Sequence, residues 1–172
     1  MADVISEMLP DAAAPRKRSV RPPAPDEIEL IELLFFAYRD FVSDPDEVLA
    51  TYGFGRAHHR VLHFVARNPG IRVADLLDIL RITKQSLGRV LKQLVDASFI
   101  EQRPGPRDRR QRLLFTTATG QELAERLSEM QSRRIRAALQ AVPPAQRAGA
   151  REFLRSMIDT GERAKVARLI AR

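Results

Sequence analysis

Two short amphipathic stretches are joined by only Arg81-Ile82, and at Ala97-Ser98 the hydrophobic period changes. Few folds accommodate that combination. Val73, Leu76, Leu77 and Leu80 recur at helical spacing, as do Leu87, Val90, Leu91 and Leu94, and Thr83 is placed to cap the second helix. Beyond Ser98 the apolar residues alternate. Phe99-Ile100-Glu101-Gln102-Arg103 reads as a strand and Pro104 to Arg109 as a turn. Gln111 to Thr117, with Leu113 and Phe115 alternating, reads as the return strand. The pattern predicts a helix-turn-helix followed by a β-hairpin with a cationic tip.

The flanking segments read as helices. Asp26 opens one in which Ile28, Ile31, Leu34, Phe35, Tyr38 and Phe41 recur up to an expected break at Asp44-Pro45. Its apolar face is too broad for one small domain to cover, and a second subunit is the natural cover. Phe54 to Arg67 is the next helix, with Ala57, Val61, Leu62 and Val65 inward and Asn68-Pro69-Gly70 ending it. After the hairpin a long helix is expected from Ala118 to Ala141, stopped by Val142-Pro143-Pro144. A last helix is expected from Ala145 to the region of Gly161, burying Phe153, Leu154, Met157 and Ile158. Residues 1–25, rich in Pro and Ala, carry a basic cluster at Arg16, Lys17, Arg18 and Arg21 and are expected to be a disordered arm.

Charge is segregated. Residues 26–51 hold the acids Asp26, Glu27, Glu29, Glu32, Asp40, Asp44, Asp46 and Glu47 against Arg39 alone. Residues 81–112 hold Arg81, Lys84, Arg89, Lys92, Arg103, Arg107, Arg109, Arg110 and Arg112 against Asp96, Glu101 and Asp108. A basic part set apart from an acidic part, in a chain of net charge +7, suits an anionic polymer bound on one side. The absence of cysteine excludes disulfides, thiolate metal sites and thiol switches. No apolar run approaches the ~20 residues of a membrane helix, and the opening segment lacks the apolar stretch of a secretory signal. A cytoplasmic protein without membrane association is expected. Catalysis would need a nucleophile with its base, paired carboxylates, a phosphate-binding glycine loop or a metal cluster. The sequence shows none of these, so neither an enzyme nor a cofactor is expected.

The side chains of the second helix suit base and phosphate recognition. Thr83, Lys84, Gln85 and Ser86 lead it, Arg89 follows one turn later and Lys92 lies beyond. Gln pairs bidentately with adenine and Arg with guanine, while Lys, Ser and Thr reach phosphates or base edges. Arg89, Gln85 and Ser86 are the candidates for base readout. A hairpin tip with Arg107, Arg109 and Arg110 suits a minor groove, where arginine meets a focused negative potential. Asp108 is expected to orient a neighbouring arginine rather than touch DNA.

Together these stretches resemble the MarR family of transcriptional regulators. The likeness spans about Asp26 to Ile158. It rests on ITKQSLGRVLKQLVDASFIEQ (82–102), on GPRDRRQRLLFTTATG (105–120), and on the helical extensions at either side. The wing signature of an Asp, one residue and an Arg falls on Asp108 and Arg110, and a later Thr-x-x-Gly on Thr117 to Gly120. Two positions depart: Gly88 stands where the family often has Ser or Thr, and Ser98 where a helix-ending Gly is usual. The resemblance implies a mainly α fold with a small β-hairpin wing. Residues 54–117 would form the winged helix-turn-helix, and residues 26–52 and 118–172 the dimerisation helices. It further implies a homodimer on a pseudo-palindromic DNA operator, with half-sites about 10 bp apart. The implied role is a repressor released by a small aromatic or phenolic effector. Phe35, Phe36, Tyr38, Phe41, Tyr52, Phe54 and Phe64 are the candidates for lining an effector pocket and equally for filling a core.

Two other readings compete for the same residues. His58, His59 and His63 share one predicted helix, and the spacing of His59 and His63 suits a shared metal or a haem sensor. Core, interface or hydrogen-bonded histidines explain the same spacing. The other reading is a winged-helix module that binds protein, its charged tip incidental. Salt dependence of DNA binding separates it from a DNA-binding regulator.

Overall fold

The computed structural model describes residues 21–171. The expected basic cluster at Arg16, Lys17 and Arg18 lies outside them, as does most of the expected N-terminal arm. Helix α1 (Pro25–Ala50) is followed by α2 (Arg56–Arg67), the short strand β1 (Ile71–Arg72), α3 (Val73–Leu80) and α4 (Lys84–Asp96). Then come β2 (Ile100–Pro104), β3 (Arg112–Thr116), α5 (Ala118–Ala141), a 3₁₀ turn (Pro144–Gln146), α6 (Arg147–Ser156) and α7 (Arg163–Ile170). Two compact units divide between Phe35 and Phe36.

The first unit, up to Phe35, contains the opening turns of α1, where Asp26 and Glu27 sit in the first turn, favoured there by the helix dipole. Glu27 Oε2 accepts from the Ala24 backbone N–H at 2.7 Å, and Oε1 pairs with Arg21 at 3.1 Å. Ile28, Leu30, Ile31, Leu33, Leu34 and Phe35 are all exposed.

The second unit holds the core. Leu49, Val61, Leu62, Val65, Leu76, Leu87, Leu94, Ile100, Leu114 and Leu127 lose essentially all contact with solvent. They bring together α1, α2, α3, α4, the sheet and α5. Helix α1 does not break at Asp44-Pro45 but continues to Ala50. Pro45 lacks an N–H for the helical ladder, a loss that normally kinks or ends a helix. Its ring is buried, with Val48 and Leu49 buried beside it, so tertiary packing offsets the missing bond.

Helix α2 begins at Arg56 rather than Phe54, and Ala57 faces solvent, while Val61, Leu62 and Val65 are buried as the spacing predicts. The hairpin is part of a three-stranded antiparallel sheet in the order β1-β3-β2, with Ile71 opposite Leu114 and Glu101 opposite Phe115. Strand β1 has only two residues, too few to leave a period in the sequence. On β3 the fully buried residue is Leu114, with Leu113 and Phe115 only half-buried. Strand β3 packs on α2 and α3, and alternate residues of a strand face opposite ways, so Leu114 points inward and its two neighbours do not.

The expected last helix is two helices. The Arg163 guanidinium donates to the carbonyls of Ser156 (2.7 Å) and Ile158 (2.9 Å), satisfying the end of α6 before α7 begins. Phe153, Leu154 and Met157, expected to be buried, are exposed, and Ile158 is half-buried. Among the described residues that face of α6 is left open to solvent.

Candidate nucleic-acid interface

Helix α3 ends on Arg81, whose backbone is left-handed (φ 51°, ψ 45°) and whose N–H reaches Leu77 O at 2.9 Å. That conformation turns the chain within two residues onto Thr83. The Thr83 hydroxyl oxygen accepts from the Ser86 N–H at 3.1 Å and donates to Ser86 Oγ at 2.9 Å, closing the N-cap of α4. Leu87, Val90, Leu91 and Leu94 are buried, which fixes the helix's rotation and leaves Thr83, Lys84, Gln85, Ser86, Gly88, Arg89 and Lys92 exposed on the other side. The burial stripe therefore presents the candidate recognition residues on a common outward face, beside the helix N-terminus.

Their electrostatic states differ. Lys92 pairs with Asp96 at 2.5 Å, so part of its charge is answered within the helix. Lys84 and Arg89 have no acidic partner among the described residues. Gln93, not singled out from the sequence, accepts a 2.8 Å bond from His58 Nε2, while His58 Nδ1 accepts from the Gly55 N–H at 3.1 Å. This pair ties α2 to the solvent-side edge of α4.

The end of α4 and the wing are joined by one tight arrangement. Ser98 takes a left-handed backbone (φ 60°), letting Phe99 N–H reach Leu94 O at 2.8 Å and Ser98 N–H reach Val95 O at 2.9 Å. Thr117 caps α5 by accepting from the Gly120 N–H at 3.0 Å, and its hydroxyl donates to Ser98 O at 2.7 Å. The Thr-x-x-Gly segment thus locks the start of α5 onto the end of α4.

In the wing, Asp108 acts on the main chain. Its carboxylate accepts from the Arg110 backbone N–H at 2.9 Å, and its carbonyl accepts from the Gln111 N–H at 3.0 Å. A β-carbon on Gly105 would lie 2.7 Å from that carbonyl oxygen, so the turn closes only around a glycine. Arg107, Arg109 and Arg110 are exposed and have no acidic partner among the described residues. Arg103, lower on the wing, stacks over the Phe115 ring at 4.5 Å and pairs with Glu101.

The histidines divide. His58 has both ring nitrogens engaged and stacks on Phe54 at 4.7 Å, which removes it from any metal site. His59 and His63 line a cleft of about 330 Å³ with Tyr38, Phe41, Val42, Arg56, Arg60, Phe64 and Gln131. Burial, then the neighbouring His63, holds His59 below the usual imidazole range against an opposing pull from Asp46; burial, then Arg67, lowers His63. Among the described residues no group of three or more His, Cys, Asp or Glu converges as a metal site. Of the aromatic candidates for a pocket, Tyr38, Phe41 and Phe64 line this cleft. Tyr52 and Phe54 instead pack against Phe99, each at 5.3 Å, and Phe36 is exposed beneath Arg39.

The family model for the MarR family matches residues 52–111. The chain is 48% identical over 133 residues to the HTH-type transcriptional regulator PetP of Rhodobacter capsulatus, covering 77% of this chain and 80% of that one. Among solved structures it is similar to a MarR transcriptional regulator from Methanosarcina mazei Go1 (TM-score 0.65, 23% identity, 78% of this chain and 96% of that one). It is also similar to Streptococcus pneumoniae FabT in complex with DNA (TM-score 0.69, 14% identity, 76% and 93%). The helical fold with its small antiparallel sheet is the winged-helix fold of these structures.

Proposed function

The chain belongs to the MarR family of non-enzymatic transcriptional regulators, and on that basis we propose that it binds double-stranded DNA sequence-specifically as a homodimer. The observation that carries this reading is the rotation of α4. Its apolar stripe is sealed in the core, and Lys84, Gln85, Ser86 and Arg89 stand outward from a capped N-terminus. Such a helix enters a major groove N-terminus first, with Gln85, Ser86 and Arg89 at base edges and Lys84 and Lys92 at phosphates. Arg107, Arg109 and Arg110 on the wing follow the adjacent minor groove. FabT, a structural neighbour, was solved in complex with DNA.

The homodimer accounts for apolar surface that the single chain leaves open. In the second unit Ile135, Leu139, Phe153, Leu154 and Met157 are exposed on α5, α6 and the residue just after α6. In the first unit the row from Ile28 to Phe35 is exposed as well. A second copy covering these rows would take their apolar side chains out of water, as homodimer interfaces do. The two recognition helices then address half-sites about 10 bp apart, and occupation of a promoter in the cytoplasm represses transcription. No helix among the described residues is long and apolar enough to cross a membrane. A small aromatic effector fits the cleft of about 330 Å³ lined by Tyr38, Phe41, Phe64, His59 and His63, and its binding would release the DNA.

The test is binding of the purified protein to the duplex upstream of its own gene, against a scrambled duplex, over a salt series. Preference for the native duplex, with affinity falling steeply as salt rises, supports the reading. Equal, weak binding to both duplexes would overturn it.

A further inference from the structure

We propose that Asp159 and Glu162 form an acidic latch that competes with DNA phosphate for Arg81, a reading that rests on the DNA-binding function above. Arg81 is the residue that turns the chain from α3 into the recognition helix, two positions before the Thr83 cap. Its backbone is left-handed, where a side chain costs energy that glycine would not. The guanidinium put there is gripped from the C-terminal segment: Nη2 lies 3.0 Å from Glu162 Oε1 and Nη1 3.6 Å from Asp159 Oδ2. Glu162 also meets Lys165 at 3.7 Å, and Lys165 pairs in turn with Asp78, one turn before Arg81 on α3. A chain of charges, Arg81 to Glu162 to Lys165 to Asp78, therefore fastens α7 to the outer end of the helix-turn-helix.

Two features make this contact a competitor rather than a permanent brace. Arg81 and Asp159 are largely exposed and Glu162 is about a third exposed, so solvent reaches both pairs and keeps them weak. The turn leading into a recognition helix also approaches the sugar–phosphate backbone, where Arg81 would be a phosphate ligand of the kind that sets affinity without reading sequence. Forming that contact requires Asp159 and Glu162 to give up the guanidinium.

The experiment compares wild type, D159N/E162Q, R81A and R81A/D159N/E162Q on the upstream duplex at one salt concentration. The expected result is about two- to fivefold tighter binding for D159N/E162Q, the range of exposed ion pairs, and no gain from the same pair of changes in the R81A background. An equal gain in both backgrounds would mean general charge repulsion and would overturn the latch. Weaker or unchanged binding by D159N/E162Q would overturn it as well. Amide hydrogen exchange of the free protein separates this failure from failure of the DNA-binding function. Protection of α7 in wild type that is lost in R81A reports the closed latch without DNA, and unprotected α7 in wild type would show that no latch exists.

Discussion

The carbonyl oxygen of Phe99 occupies the space beside Gly120, where a β-carbon would stand 1.9 Å from it. This approach lets Thr117 N–H bond Phe99 O at 3.1 Å and draws the start of α5 against the end of α4. Helix α4 and the sheet are held together at this point. Gly120→Ala should therefore cost about 3 kcal/mol or more, since the obstruction is backbone and cannot swing aside. A urea midpoint close to wild type would show that the junction yields more easily than this geometry implies.

Ser98 stands in a left-handed conformation at the end of α4 with none of glycine's freedom. Replacing it with Gly should stabilise the fold by about 0.5–1 kcal/mol, the relief of strain being partly offset by a more flexible unfolded chain. The bond from Thr117 is to the backbone carbonyl of Ser98 and survives the change. Equilibrium unfolding measures the gain, and a loss of stability would mean that the Ser98 side chain contributes to the cap.

Gly88 has open space where a β-carbon would go, on the exposed side of α4. Nothing steric requires glycine there. Gly88→Ala should raise stability by about 1 kcal/mol through helix propensity. An unchanged denaturation midpoint would indicate that α4 is already frayed around this turn.

His59 and His63 both lose basicity on folding, so the unfolded chain binds more protons than the native one wherever they titrate. Stability should be complete above the ordinary histidine value of about 6.5 and decline as pH falls towards the lowered native values. Denaturation midpoints measured between about pH 7.5 and about pH 5.5 should fall in wild type and fall less in H59Q/H63Q. Parallel declines in the two proteins would assign the acid sensitivity to other groups.

Much of the architecture is legible in local pattern. The bounds of α3 and α5, the Thr83 cap and the buried stripe of α4 each follow from a few neighbouring residues, because a single helix face and a single hydroxyl decide them. What pattern does not carry is tertiary. Pro45 looks like a stop until its ring is seen buried, and Leu114 rather than its neighbours faces the core because the helices pack on that side of β3. The break between α6 and α7 depends on an Arg163 side chain reaching back to two carbonyls. The candidate recognition residues fall on one outward face of α4 because the core stripe dictates it. The Arg81 contacts and the Gln93–His58 bond join residues too far apart in sequence for spacing to announce them.

In the proposed function the outward face of α4 reads bases while the wing supplies affinity. Its most direct measurement is the ratio of native to scrambled duplex affinity, at fixed salt, for Q85A, R89A, R109A and R110A. Q85A and R89A should lose about 1–3 kcal/mol of discrimination each, while R109A and R110A weaken both duplexes alike and keep the ratio. A ratio unchanged in Q85A and R89A, or one that collapses only with the wing substitutions, would place sequence readout elsewhere than on α4.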